Sequence, residues 1–234
     1  MENKKHPIVI IIFILLAISI IVMLYFYNKF NTEQLTLLSG EANKILEADL
    51  TQYNIDFKIR TKKDYAKVEK AIKEYISSLK NIYTEMNEIS SGINPNLIFS
   101  VQNMKKTNLE DVDNIISEYK EKSQTLVTEY EKLVTTEKIE ENINSVNISI
   151  RKKYYTNLYN EIMLKYGMKS QYEHLEEKIK DEKGIILDKL NKIQKIKEFF
   201  NNNKNYWTIK DDKIQFTNLN KMTEYYNLVN SIID

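Results

Sequence analysis

Residues 65–89 read YAKVEKAIKEYISSLKNIYTEMNEI, and the apolar residues in this stretch alternate in steps of three and four. This spacing is the heptad pattern that places one apolar stripe along a helix. Thr61 and Asp64 predict a capped start for the helix, and Ser91–Gly92 predicts its end. The stripe consists of Tyr65, Val68, Ile72, Tyr75, Leu79, Ile82, Met86 and Ile89.

Two stretches further along the chain repeat this design. The first follows a cap pair, Asn108 and Asp111, and only Ser123 interrupts its apolar stripe. The second begins near Ile148 and ends at Phe200. We therefore predict two more helical regions with stripes of the same kind. The first stripe contains Leu109, Val112, Ile116, Tyr119, Leu126, Tyr130 and Leu133, and the second includes Tyr155, Leu158, Ile162, Tyr166, Tyr172, Leu175, Ile179, Ile186, Leu190, Ile193 and Ile196.

Polar residues, proline and glycine mark the breaks between these regions. Asn94 is predicted to cap a new helix that starts at Pro95, because proline is favoured at the first helical position. The Asn-rich segment 142–147 is predicted to be a connection. Gly167 and Gly184 are the expected places for the third region to bend or stop.

The polar sides of the helices carry pairs of opposite charge. Glu69 and Lys73 in the first helix are four residues apart, as are Glu118 and Lys122 in the second region. Side chains at this spacing meet on a helix surface. We expect both pairs to lie outside the apolar stripes, on the polar side of each helix.

A helix with a single apolar stripe cannot bury that stripe alone, so several such helices should pack side by side. The sequence predicts an all-α protein in which residues 61–205 form an antiparallel, coiled-coil-like helical bundle. The same stripes could instead associate between copies of the chain. Spacing alone does not separate packing within a molecule from packing between molecules.

An apolar stretch precedes the bundle. Residues 7–27, PIVIIIFILLAISIIVMLYFY, contain no charge and would form a helix of roughly 30 Å, the thickness of a bilayer's hydrocarbon core. A cleaved signal peptide has a shorter apolar region and a small-residue cleavage site. We therefore predict a single transmembrane anchor at residues 7–27, an amino-terminal tip at residues 1–6, and a membrane-proximal helix and linker at residues 28–60.

Basic residues near this anchor bear on its orientation. Lys4 and Lys5 directly precede it, whereas Lys29 and Lys44 follow it at greater distance on average. Because basic residues close to the membrane favour the cytoplasmic side, we expect a cytoplasmic tip and an extracytoplasmic bulk.

The carboxyl-terminal segment departs from helical spacing. Residues 206–210 and 213–216 alternate apolar and polar residues on either side of Asp211–Asp212, a pattern typical of a β-hairpin. We predict that residues 206–234 form a small hairpin followed by a helix. The hairpin residues expected to share one face are Trp207, Ile209, Ile214 and Phe216, and the stripe expected on the helix is Leu219, Met222, Tyr226, Val229 and Ile233.

This carboxyl-terminal segment has two interpretations. Trp and Tyr are favoured anchors of binding surfaces, so Trp207, Phe216, Tyr225 and Tyr226 form a candidate interaction surface. Alternatively, the hairpin is a lid that closes one end of the bundle, because alternating apolar residues of a hairpin are more often buried than displayed.

The order Trp207-x-Ile209, Ile214-x-Phe216 and Tyr226-Asn227 resembles the carboxyl-terminal segment of uncharacterised, membrane-tethered helical proteins of low-G+C Gram-positive bacteria. This resemblance covers the chain from residue 207 to its carboxyl end. It implies a location in the cell envelope and brings no catalytic residue with it.

Residues that carry chemistry are few. The chain has 34 Lys or Arg against 33 Asp or Glu and no long basic run, which argues against a nucleic-acid-binding protein. It has no Cys, so disulfides and thiolate metal sites are excluded. Near His174, the di-iron helix motif would need a Glu where Gln171 stands. Since no nucleophile elbow or phosphate-binding loop occurs either, we expect no metal, no cofactor and no enzymatic activity.

These observations favour a single-pass, membrane-anchored, extracytoplasmic helical scaffold or protein-interaction module of the cell envelope. The expected partners are the membrane and a protein, either another protein or a second copy of this chain. One alternative is a sensory ectodomain that binds a small molecule and acts through a partner. The other is a phage-type membrane-bridging or lysis component, which needs a second membrane contact, whereas only one apolar span is evident.

Overall fold

The protein is helical apart from one small antiparallel sheet, in a computed structural model that describes residues 5–107 and 109–233. The predicted all-α class with a carboxyl-terminal hairpin is confirmed. In chain order the elements are α1 (Lys5–Leu46), α2 (Asp64–Gly92), α3 (Pro95–Ile98), α4 (Val101–Thr107), α5 (Asp111–Leu133), α6 (Thr136–Ser145), α7 (Lys152–Met163), α8 (Tyr166–Asn202), a 3₁₀ turn (Lys204–Tyr206), β1 (Trp207–Lys210), β2 (Lys213–Phe216) and α9 (Leu219–Ile233).

Contacts among the Cα atoms divide the chain into two units. Unit 1 takes the described residues of Met1–Tyr75 and Glu140–Lys165, and unit 2 takes those of Ile76–Ile139 and Tyr166–Asp234. Each unit has its own buried apolar side chains, such as Leu38 and Tyr159 in unit 1 and Leu190 in unit 2.

In α2, the predicted end and apolar stripe agree with the structure, whereas the predicted cap does not, because the Thr61 hydroxyl donates to the Glu69 carboxylate. The helix begins at Asp64 and ends at Gly92, and seven of the eight predicted stripe residues are buried, whereas Ile89 is half-buried. Asn94 caps α3 as expected, because its side-chain oxygen accepts a hydrogen bond from the amide of Asn96.

Within unit 2, α5 and α8 pack against each other in antiparallel directions. Three side-chain contacts fix the direction, since residues 130, 124 and 113 of α5 meet residues 172, 183 and 197 of α8 in that order. The Tyr130 hydroxyl donates to the Tyr172 carbonyl over 2.7 Å. Ser123, which interrupts the stripe, is buried and donates to the Lys120 carbonyl over 3.0 Å, so its hydroxyl is not left unpaired.

Two of the predicted breaks are wrong. Residues 142–145 belong to α6, so the connection is shorter than 142–147 and lies after Ser145. The helix forms because Ile139 and Ile143, one turn apart, are both buried. Gly184 lies inside α8, which continues through it, whereas the chain does break just before Tyr166, near Gly167. The proposed cap at Asn108 lies outside the described residues.

The hairpin has the predicted register and shared face. Trp207 pairs with Phe216 and Ile209 with Ile214, and these four side chains are half-buried while their neighbours along each strand are exposed. Asp211 and Asp212 have φ values of 50° and 52°. Two successive positive φ values match the twist of a two-residue turn to that of the flanking strands.

Two residues of the apolar stripe predicted for α9 are exposed, so the prediction is wrong at these positions. The buried residues are Tyr225, Val229 and Ile232, whereas Leu219 and Tyr226 are exposed. The side chain of Ile233, also predicted in the stripe, lies outside those that the structure describes. The apolar face of α9 is therefore rotated by one residue at the tyrosine pair.

Candidate interaction sites

The first half of α1 is an exposed apolar surface. Every residue from 10 to 29 is exposed, and the large apolar side chains have exposed fractions from 45% at Tyr27 to 70% at Met23. Helix α1 is long and apolar enough to cross a membrane, and its most apolar window makes no burying contact within the described chain. A soluble core helix would be covered by the rest of its protein.

The second half of the same helix packs within unit 1. Its buried residues recur every three or four positions, as expected for one covered face. The helix therefore changes from an uncovered apolar surface to an amphipathic one without a break. The buried residues are Gln34, Leu38, Glu41, Ala42 and Ile45.

A buried cluster of charge lies where α1 meets α2. The Lys73 ammonium donates to Glu41 and to Glu69 over 2.7 Å each, and to the Lys58 carbonyl over 2.8 Å. The exposed fractions of the Lys73 and Glu69 side chains are only 4% and 1%. We call Glu41, Glu69 and Lys73 the charge cluster.

The charge cluster also holds the extended segment that leads into α2. The Glu69 carboxylate accepts hydrogen bonds from the amides of Arg60 and Thr61 and from the Thr61 hydroxyl, over 2.8–3.1 Å. Nearby, the buried Gln34 side chain accepts from the Lys62 amide over 2.6 Å. The buried carboxylate thus satisfies backbone donors that have no other helix or strand to pair with.

Electrostatics in the cluster favour the charged forms. Burial alone raises the pKa of the Glu69 carboxyl, but hydrogen bonds from Lys73 and Thr61 outweigh it and hold that pKa below its usual value. The pKa of Glu41 is lowered in the same way, since the Lys44 and Lys73 ammonium groups outweigh burial. Conversely, the two carboxylates raise the pKa of Lys73 against the opposing effect of burial.

The predicted pairing of Glu69 with Lys73 is confirmed, since their charged groups are 2.7 Å apart, but their predicted place on the polar side of α2 is wrong. Both side chains are buried, because α1 and the segment before α2 cover the side of the helix that carries them. The sequence contains only a weak indication that this pair is buried. The stretch 68–76 contains five buried apolar residues besides this pair, which is denser than one stripe requires.

At the carboxyl end, the four predicted surface residues have different environments. The Trp207 indole donates to the Phe200 carbonyl over 2.9 Å and its ring lies edge-on to that of Phe200, with centroids 5.0 Å apart. Phe216 and Tyr225 contact each other with centroids 5.4 Å apart. Tyr226 is the exposed member, with 52% of the residue accessible to solvent.

The three enclosed members belong to a set that we call the aromatic cluster, and Tyr226 is next to it. Burial raises the pKa of the Tyr225 phenol to about 12, as expected for a ring held among apolar groups. The cluster consists of Phe199, Phe200, Trp207, Phe216 and Tyr225.

Unit 2 also carries an open groove of about 770 Å³ between the carboxyl-terminal half of α2 and α5. Its floor is apolar, since Ile89, Tyr119 and Leu126 are buried or half-buried there. Its walls contain five glutamates and one lysine, which leaves an excess of four negative charges. We call this feature the acidic groove. The charged residues are Glu85, Glu88, Glu118, Glu121, Lys122 and Glu129.

Within the described residues, no group of three or more His, Asp or Glu side chains is arranged to hold a metal ion. His174 is exposed on α8, in a run of charged residues. The exposed pair of Glu118 and Lys122 forms the predicted ion pair at the wall of the acidic groove.

Comparisons of the chain with protein-family models, with curated proteins and with solved structures find no match.

Proposed function

We propose that this protein is a single-pass, membrane-anchored scaffold or protein-interaction module of the cell envelope, without catalytic activity. The observation that carries the proposal is the uncovered apolar half of α1. Exposed apolar patches of more than a few hundred square ångströms mark sites of protein or membrane contact. The exposed run of residues 10–29 contains no charge before Lys29, and it fits the hydrocarbon core of a bilayer because a helix of this length spans about 30 Å.

The continuity of α1 supports a retained anchor over a cleaved signal peptide. A signal peptide ends in a small-residue cleavage site after a short apolar region. In this chain the helix continues from the apolar run through Gln34 and Glu41, whose side chains bond to residues of the α2 region. Cleavage after the apolar run would cut α1 where it continues without a break, and it would remove Tyr27, whose hydroxyl accepts a hydrogen bond from the Arg151 guanidinium.

For the partner surface we favour the acidic groove of unit 2 over the aromatic residues at the carboxyl end. The groove combines an apolar floor with an excess of negative charge at its walls. An amphipathic helix that carries Lys or Arg on either side of an apolar stripe would match both features. We therefore assign the groove to a basic amphipathic helix of a partner protein.

The orientation of the protein belongs to the same proposal. Lys4 and Lys5 favour a cytoplasmic amino terminus, which would make both units extracytoplasmic. Protease treatment of intact cells that express the protein checks this orientation. We expect the units to be cut without permeabilisation, whereas protection until permeabilisation would reverse the orientation.

The anchor is tested by membrane fractionation of the full chain. We expect it to stay in the membrane pellet after alkaline carbonate washing, with an intact amino terminus. A soluble mature chain that begins after Tyr27 would overturn the proposal.

The groove is tested by photo-crosslinking in native membranes. A photoreactive amino acid at Thr125, which lines the groove, is compared with the same amino acid at Ser117, which is exposed on α5 outside it. We expect a crosslinked partner at residue 125 that is absent at residue 117. The captured segment should be a basic amphipathic helix, and reversing the charges of Glu88 and Glu121 should abolish the crosslink. Equal capture at both positions, or capture that survives charge reversal, would contradict the assignment.

A further inference from the structure

A second set of charges surrounds the end of the apolar run in unit 1. Tyr27 is the last residue of that run, and its hydroxyl accepts a hydrogen bond from the Arg151 guanidinium. The same guanidinium carbon lies 4.4 Å from the ring centroid of Tyr154. These contacts fix the loop before α7 beside the end of the span, 124 residues away along the chain.

Lys63 lies at the same level of α1. Its ammonium is 4.7 Å from the ring centroid of Phe30, three residues beyond Tyr27. A rise of about 1.5 Å per residue separates Phe30 from Tyr27 by roughly 5 Å along the helix. Lys63 is therefore within the depth of a headgroup layer when Tyr27 is at the edge of the hydrocarbon core.

The loop itself has the composition of a membrane-contacting segment. The loop and the first turn of α7, residues 146–155, read VNISIRKKYY without an acidic residue. Ile150 is 71% exposed, and Arg151, Lys152 and Lys153 follow it directly and are exposed as well. An apolar side chain next to basic ones suits the boundary between headgroups and hydrocarbon.

From this geometry we infer that Lys63, Arg151, Lys152 and Lys153 bind the phosphates of anionic lipid headgroups around the end of the span, while Ile150 inserts among the acyl chains. We call these five residues the headgroup collar. The inference rests on the proposed membrane anchor, because the collar is level with a bilayer only if α1 spans it. The occupant is the surface of that same bilayer.

The collar is supported by contacts that hold it at this level. Arg151 has φ of 57°, a left-handed conformation that non-glycine residues adopt rarely, so the fold fixes this residue against its own preference. The Lys152 ammonium donates to the Asn144 carbonyl over 2.9 Å, which joins the loop to the end of α6. Lys63 also has a positive φ, of 53°.

The absence of cysteine in the chain makes a direct test practical, because a single introduced cysteine labels one position. The full-length Ile150→Cys variant is labelled with an environment-sensitive fluorophore and reconstituted into nanodiscs. One set contains phosphatidylcholine alone and the other contains equal amounts of phosphatidylcholine and phosphatidylglycerol. The control is Phe57→Cys, which replaces another exposed apolar residue of unit 1, at 56%. Phe57 precedes Lys58, which shares the Lys73 ammonium with Glu41, roughly 20 Å along α1 from Tyr27.

We expect blue-shifted emission from the label at residue 150, stronger in anionic discs and quenched by lipids that carry a quencher in the upper acyl chain. The label at residue 57 should report water in both compositions. Adding Lys153→Gln to the labelled variant, which leaves the Arg151 contacts with Tyr27 and Tyr154 in place, should lower the ratio of inserted to free loop about fivefold in anionic discs, which is the effect of one basic charge near an anionic surface.

The experiment distinguishes a failure of the proposed anchor from a failure of the headgroup collar. If the full chain does not incorporate into nanodiscs, the proposed anchor fails and the collar fails with it. If the chain incorporates but the label at residue 150 reports water in both compositions, or responds equally to both, the anchor stands and the headgroup collar is wrong. High salt should reverse the anionic enhancement, and an enhancement that resists salt would also contradict phosphate binding.

Discussion

Each unit fixes a short non-helical segment, but by different interactions. In unit 1 the charge cluster holds residues 58–62 through directional hydrogen bonds to a buried carboxylate and a buried ammonium. In unit 2 the aromatic cluster holds the hairpin mainly through ring contacts. Buried charges contribute stability only while every partner is present. The stability contributed by buried aromatic rings, in contrast, decreases gradually as atoms are removed.

The stability of the two units should therefore be sensitive to different changes. The charge cluster should respond steeply to the loss of one charge and to acid, because an unpaired buried carboxylate is costly. The aromatic cluster should respond to changes in shape, and little to acid, since none of its five side chains is a carboxylate. Hydrogen exchange followed by mass spectrometry measures both units separately in one sample.

The largest effect is expected from Lys73→Met. This change leaves Glu41 and Glu69 buried without their shared cation, which should cost about 3–5 kcal/mol. Hydrogen exchange of residues 58–62 measures the loss. Lys122→Met is the matched control, because Lys122 pairs with Glu118 on the surface, with both side chains more than half exposed. The control should change protection by less than about 1 kcal/mol, and equal effects of the two variants would refute the special role of the charge cluster.

Acid should separate the two units without any mutation. The folded-state pKa values of Glu41 and Glu69 are lowered, so the stability that these groups contribute is present above about pH 4.3, their unfolded value. That stability is lost as the pH falls through the lower folded values. From pH 6 to pH 3, protection of residues 58–62 should decline before the emission of Trp207 changes.

Alkali, unlike acid, is expected to weaken the charge cluster and the aromatic cluster alike. The pKa of Lys73 is raised, and the pKa of Tyr225 is raised to about 12, so both clusters keep their contribution below about pH 10 and lose it as the pH rises further. If acid changed the Trp207 emission first, the contrast between the two units would be wrong.

A smaller effect is expected from Trp207→Phe. The variant keeps an aromatic ring but removes the indole N–H that bonds the Phe200 carbonyl, so the hairpin should lose about 1 kcal/mol of stability. Hydrogen exchange of residues 207–216 measures the loss. Tyr206→Phe is the control, because Tyr206 is 43% exposed and precedes the strand. A loss above about 3 kcal/mol would indicate that the aromatic cluster depends on this bond as strictly as unit 1 depends on charge.

The smallest expected effect is a gain in stability, from Gly→Ala substitutions in α1 and α8. A Cβ atom added at Gly40 or Gly184 would meet no atom within 4 Å, so each change should stabilise its helix by about 0.5–1 kcal/mol. Gly40→Ala should raise protection in unit 1, and Gly184→Ala in unit 2. If either variant instead lowered protection, that helix would need the flexibility of glycine.

The apolar stripes of α2, α5 and α8 were predictable because they depend on spacing within one helix. The charge cluster was not, since the burial of Glu69 and Lys73 depends on α1 and on residues 58–62, which cover that side of α2. A sequence pattern reveals which residues share a face, but it does not reveal what covers the opposite face.

Two smaller errors have local causes. The Asn-rich segment concealed the end of α6, although Ile139 and Ile143 already had helical spacing; Asn142 is accommodated because its amide donates to the Tyr159 hydroxyl over 2.8 Å. In α9, Tyr225 and Tyr226 are adjacent, so a small error in helical phase exchanges them. The contacts of Tyr225 with Phe200 and Phe216 decide which of the two is enclosed.

Because α1 is continuous, the contacts of its second half within unit 1 fix the rotation of the membrane-spanning half about the helix axis. Tyr27 and Glu41, 14 residues apart, stand nearly four turns apart on the same side of α1, and each is bonded to another part of unit 1. Inserting one residue between them would twist the span by about 100° relative to the rest of the unit. Lipids, or a second membrane helix, would consequently meet one fixed side of this span and not a freely rotating rod.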